Sequence, residues 1–132
     1  MREIFRKLQK VTTVLNFLQL SATPVNFLQT FTMLVVLTTV PNSEEAEALA
    51  RRIVEARLAA CVQILPPMQS IYFWDGAVQN DSEHLLLIKT LSEKYDSLEK
   101  FIQANHSYDV PEIVALPAEK VSENYLGWLK DK

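Results

Sequence analysis

CVQILPPMQSIYFWDGAVQNDSEHLLLIKT, residues Cys61 to Thr90, is two long strand-like runs meeting at Asp75-Gly76. A type I′ turn needs positive φ at both central positions, and an Asp-Gly pair between β-rich runs supplies it. The stretch therefore reads as a β-hairpin. Each arm is about twice the usual strand length of ~5–6 residues. A domain of 132 residues cannot cover such a hairpin alone, so its overhanging ends predict strand pairing between subunits. Pro66-Pro67 interrupts the first arm, and proline has no N–H to give a ladder, which predicts a bulge or bend there. In the second arm Glu83, Leu85, Leu87 and Lys89 share one face, while His84, Leu86, Ile88 and Thr90 share the other.

Upstream, MLVVLTTV (Met33–Val40) is a β-branched run without polar breaks and reads as a buried strand ended by Pro41. Asn42 can cap a following helix, with Glu45 completing a capping box. Ala46, Leu49, Ala50, Ile53, Val54 and Leu58 keep helical spacing, and Glu47 to Arg51 is a supporting i,i+4 pair. That helix is expected to run to about Leu58. Downstream, Ser92 is expected to cap a second helix whose apolar stripe is Tyr95, Leu98, Phe101 and Ile102. A loop over 105–111 leads to a last strand, Glu112–Leu116, and a third helix begins near Ser122. The order βαββαβ plus a terminal helix predicts an α+β, ferredoxin-like sandwich, one antiparallel sheet with two helices on one face.

Two glycines in the chain leave little room for Gly-rich phosphate loops, and no dinucleotide fingerprint occurs. A net charge of −3 argues against nucleic acid as the main partner. One cysteine gives no intrachain disulfide, so nothing requires an oxidising compartment. No stretch approaches the ~18–20 apolar residues of a transmembrane helix.

Residues 1–32 differ from the rest. Arg2, Arg6, Lys7 and Lys10 face only Glu3, and Ile4, Leu8, Val11, Leu15 and Leu18 predict an amphipathic helix over 2–20, broken by Pro24. Three readings compete: sequence upstream of a start at Met33, a signal or transit peptide, or a surface helix of the mature protein. The domain proper is expected at 33–132.

Few side chains are arranged for chemistry. Cys61, alone among small apolar residues, reads as packing, with a metal ligand as the sharper alternative. His106 in a loop is either solvated or bonded to backbone, or it is a metal ligand or a polar point in a cleft. His84 is expected to face solvent or a subunit contact. No His/Cys/Asp/Glu cluster has the spacing of a preformed zinc or calcium site, so any metal site must be assembled by tertiary or quaternary contacts. Tyr72, Phe73, Trp74, Tyr108, Tyr125 and Trp128 suit core and subunit interface, or else a ligand cleft with Glu83, Lys89 and Tyr108 as its polar points. Glu83 and Lys89 stand about 20 Å apart along an ideal strand, which forbids a dyad between them. No nucleophile–base pair is visible, so the chain is not expected to be an enzyme.

Taken together, LVVLTTVPN, LARRIVEARLAACVQI, SIYFWDG, Glu83 with LLLIKT, NHSYDVPEIVALP and YLGWL resemble the CutA family, named for divalent-cation tolerance. The resemblance covers about residues 33–132. It implies a tight homotrimer with the hairpins paired around the three-fold axis, an architecture similar to the PII signalling proteins, whose effectors bind in clefts between subunits. It also implies binding of copper or other divalent cations. Copper ligands in bacterial members are a first-strand cysteine and adjacent histidines after the second helix; those positions here read Thr38 and Asn105-His106. His106 is the donor carried over, and Cys61 matches the family's LAAC cysteine. The expectation is a cytoplasmic, metal-binding homotrimer with His106 and Cys61 as metal residues and no organic cofactor. The alternative is a PII-like sensor that takes a small-molecule effector in a cleft of Tyr72, Trp74, Glu83, Lys89 and Tyr108. A scaffold for another protein is the third reading.

Overall fold

The computed structural model describes residues 32–132, so the helix expected over 2–20 lies outside the described residues. Strand β1 (Met33–Val40) leads into helix α1 (Ser43–Glu55), and β2 (Cys61–Ile64) and β3 (Met68–Trp74) form the broken first arm of the hairpin. The second arm is β4 (Ala77–Leu91), followed by a 3-10 turn (Ser92–Lys94), α2 (Tyr95–Asn105), β5 (Val114–Pro117) and α3 (Glu123–Lys130). The sheet runs β2-β4-β1-β5, every pair antiparallel, with β3 continuing beside the outer half of β4. This is the ferredoxin-like split-βαβ order: β4 lies between the two strands that α1 connects.

The hairpin follows from its turn. Asp75 and Gly76 both take positive φ, 52° and 75°, as a type I′ turn requires. The prolines act where expected. Ile64 pairs with Leu86 but Met68 pairs with Glu83, so one arm advances four residues while the other advances three. The extra residue is a bulge at Leu65–Pro67, and it shifts the pairing of β3 by one residue against that of β2. His84 helps hold the break, its Nδ1 lying 2.9 Å from the Leu65 carbonyl; it is half-buried rather than turned to solvent.

Helix α1 begins at Asn42, whose Oδ1 accepts the Glu45 N–H at 2.8 Å. The Glu45 carboxylate bonds Ser107 Oγ at 2.9 Å, so the reciprocal half of the capping box is diverted to the far loop. Glu47 and Arg51 form the expected exposed pair. The helix stops at Glu55, earlier than its spacing suggested. Arg57 adopts φ 57°, and the Arg57 and Leu58 N–H groups donate back to the Val54 and Ile53 carbonyls. That is a Schellman ending made without glycine. Helix α2 likewise starts at Tyr95, not directly after Ser92. The strand-to-helix passage first tightens into the 3-10 turn, and the Ser92 N–H donates to the Thr32 carbonyl. Strand β5 begins at Val114 rather than Glu112 and ends in Pro117, which an edge strand tolerates.

The even-numbered face of β1 and β4 makes the core. Val36, Val40, Leu86 and Ile88 pack on Ala46, Leu49 and Ile53 of α1 and Leu98 and Ile102 of α2. Each fully buried Leu or Ile contributes about 1.5–3 kcal/mol relative to exposure. Thr38 is also wholly buried on this helix-covered side. On the opposite face α3 covers one end, where Leu129 joins Met33 and Leu91, with Tyr125 and Leu126 beside them. The other end of that face stays open.

Candidate groove on the open face of the sheet

Leu37 and Thr39 of β1, Glu83 and Leu85 of β4, and Met68, Ser70, Tyr72 and Trp74 of β3 share the open face. With Ser107–Glu112 arching over them they line a groove of about 810 Å³. The two-residue turn sets Trp74 opposite Ala77 and Tyr72 opposite Gln79, which turns these two, rather than Ile71 and Phe73, into it.

The loop is stapled by His106. Its Nδ1 accepts the Tyr108 backbone N–H at 3.0 Å, so Nε2 carries the proton and donates to the Thr39 carbonyl at 2.7 Å. The imidazole also lies against the Tyr108 ring, centroids 4.9 Å apart. Thus placed, Tyr108 donates its hydroxyl proton to Glu83 Oε2 at 2.9 Å. Burial, then the hydrogen bond to Glu83, pushes the Tyr108 phenol well above its ordinary value. Tyr72 donates to Asp81, and that hydrogen bond is the main reason its phenol is also raised. Glu83 is 8 % exposed, the one buried charged residue among the described residues.

Four of the five expected cleft residues, Tyr72, Trp74, Glu83 and Tyr108, meet here. Lys89 does not. It shares a face with Glu83 but lies at the α3 end, its Nζ 5.8 Å from the Tyr125 ring centre and its backbone paired with Cys61. Asp81, Asp109 and Glu112 were not singled out beforehand. Alternation along β4 already places Asp81 on the Glu83 face, and the two-residue turn puts Tyr72, opposite Gln79, on that face too.

The two expected metal donors stand apart within one chain. Cys61 is a half-buried free thiol. From the pairing register, Thr39, the partner of His106, is two strands across and four residues along from it, roughly 16 Å. One ion needs its donors within about 4 Å of each other, and both His106 nitrogens are already hydrogen-bonded to backbone. Among the described residues no three His, Cys, Asp or Glu side chains converge on one point. A single chain therefore does not fit a copper ion at Cys61 and His106 together.

Residues 34–132 match the family of the CutA1 divalent ion tolerance protein. The chain belongs to that family. Protein CutA, chloroplastic, of Arabidopsis thaliana is 50 % identical over 103 residues, covering 78 % of this chain and 57 % of the relative. The divalent-cation tolerance protein CutA of Thermus thermophilus is 50 % identical over 97 residues, 74 % of this chain and 94 % of the relative. The match thus spans little more than half the length of the plant relative and nearly all of the bacterial one. The crystal structure of CutA1 from Oryza sativa superposes with a TM-score of 0.75 at 48 % identity, over 76 % of this chain and 93 % of that one. The CutA1 fold is thus the ferredoxin-like arrangement described above. Among the described residues no helix is long and apolar enough to cross a membrane.

Proposed function

We propose that this chain acts as a homotrimeric divalent-cation-binding protein, copper among its ions, and that its activity is binding rather than catalysis. Membership of the divalent ion tolerance family supports the class of ligand. The uncovered hairpin carries the assembly. Ile71, Phe73 and Val78 are 68, 72 and 71 % exposed, and residues 77–83 of β4 pair with β3 on one side only, β1 beginning its pairing at His84. Apolar side chains and open strand edges together favour a second chain over water. Three hairpins paired around an axis cover both.

In this reading the ion is gathered across subunit contacts, because one chain does not collect its donors. The Cys61 thiolate and the His106 imidazole are the soft donors that favour copper, and His106 gives up a backbone hydrogen bond to ligate. Residues 1–32 are an extension ahead of this domain. A cytoplasmic setting goes with a single thiol and no intrachain disulfide; cell fractionation with an antibody to the chain tests it. The metal assignment is tested by copper titration of the purified protein beside a Cys61→Ser/His106→Asn double variant. At least tenfold weaker binding in the variant is expected, and unchanged binding would remove both residues from the role.

One observation favours a second reading. The groove beside Glu83 has the size and aromatic walls of a small-molecule site, as a PII-like sensor would have. Thermal-shift screening of the metal-free protein against small metabolites tests it, and no shift with any would discard it.

A further inference from the structure

Glu83 holds a carboxylate out of water, and among the described residues no positive side chain stands beside it. Its hydrogen bond comes from a neutral phenol, and Lys89, on the same face of the strand, is about 20 Å away. The ion pair among the described residues is Glu47–Arg51, on the far side of α1. A buried carboxylate is costly unless a cation accompanies it. The exposed carboxylates of Asp109 and Glu112 stand on the rim of the same groove, and no lysine or arginine among the described residues lines it. Such a field repels phosphates and carboxylates and attracts positive charge.

The kind of cation follows from the walls. A metal ion needs three or more donors converging at ~2.0–2.6 Å, and among the described residues no such set exists. About 810 Å³ is also far more room than one ion fills. Tyr72 and Trp74 supply the aromatic rings to which an organic cation is drawn, and Leu85 and Met68 offer apolar contact for its body.

We infer that the groove binds a small organic ammonium compound, its charged head on Glu83 and its apolar or aromatic body along Tyr72, Trp74 and Leu85. This rests on the second reading above, that the groove is a small-molecule site, and assigns its ligand class. The Tyr108 hydroxyl holds one Glu83 oxygen and so aims the other at the ammonium group.

The test is isothermal titration of the full chain, kept in chelator, with phenethylammonium and with phenylpropionate, its anionic counterpart of similar shape. Phenethylammonium is expected to bind at least tenfold tighter than phenylpropionate, and to lose at least tenfold in affinity on Glu83→Gln. An Asp109→Asn/Glu112→Gln variant, changed only at exposed positions, is expected to lose severalfold and keeps the test open should Glu83→Gln fold poorly. Preference for the anion, or an ammonium affinity indifferent to these changes, overturns the ligand class but leaves a small-molecule groove standing. No binding of either probe overturns both, as it would if a lysine from a second copy already occupied Glu83.

Discussion

The Tyr108 hydroxyl and Glu83 Oε2 meet at 2.9 Å across 25 residues of sequence. They do so because His106, two positions before Tyr108, is bonded at both ring nitrogens, one to its own loop and one to the end of β1. A loop residue and a strand residue are thereby locked into one polar unit on the floor of the groove.

Replacing Tyr108 by Phe leaves the buried Glu83 carboxylate without that donor. A loss of about 1–3 kcal/mol is expected, the range for a buried acceptor left unsatisfied. Urea unfolding at pH 7 measures it, and no change in midpoint would show that Glu83 is hydrated in solution.

The same contact sets a dependence on alkaline pH. The Tyr108 and Tyr72 phenols are raised above 10.0 in the folded chain, Tyr108 chiefly by burial and Tyr72 chiefly by its hydrogen bond to Asp81. The folded state thus holds these protons more tightly than the unfolded one. Their contribution is fully present below pH 10 and is lost as pH rises beyond it. Unfolding midpoints measured from pH 8 to 12 should fall above pH 10, less steeply in Tyr108→Phe.

Deleting Pro67 removes the extra residue of the bulge. The Asp75-Gly76 turn keeps Tyr72 opposite Gln79 and Met68 opposite Glu83, so one-for-one pairing along the whole arm leaves Tyr72 and Trp74 facing the groove. The Tyr108–Glu83 and Tyr72–Asp81 bonds are both expected to survive. Retention of both raised tyrosine titrations in NMR is the signature, and loss of that of Tyr72 would contradict this register.

Arg57 occupies a left-handed conformation at φ 57°, costing about 1–2 kcal/mol for a residue with a Cβ. Arg57→Gly relieves that strain but loosens the unfolded chain, so a net gain of about 0.5–1 kcal/mol is expected in thermal unfolding. A loss would mean that the arginine side chain makes compensating contacts.

The parts legible from sequence are those with local causes. Asn42 caps because its side chain reaches an N–H three residues on; the Asp75-Gly76 turn, the β4 alternation and the Pro66-Pro67 break are likewise written in neighbouring residues. What escaped depends on distant partners. Helix α1 ends early through an arginine in a conformation usually left to glycine, which no composition signal marks. Sequence leaves His106 either solvated or bonded to backbone, or a ligand; that it is bonded to backbone, and to the Thr39 carbonyl and the Tyr108 N–H, only the fold decides. Lys89 joins Glu83 by face but not by place, since six residues of extended strand separate them. The prolines announced a bulge, but only the pairing register revealed that it contains one residue, which lets the turn-set pairing of β3 and the pairing of β2 coexist along β4.

An assembly of three chains joined through the hairpin is open to native mass spectrometry of the purified protein, with a Phe73→Asp/Val78→Lys variant beside it. A species of three times the chain mass for the unaltered protein, broken down in the variant, is the predicted result. A monomer at micromolar concentration would contradict it, because the apolar hairpin would then stand in water uncovered.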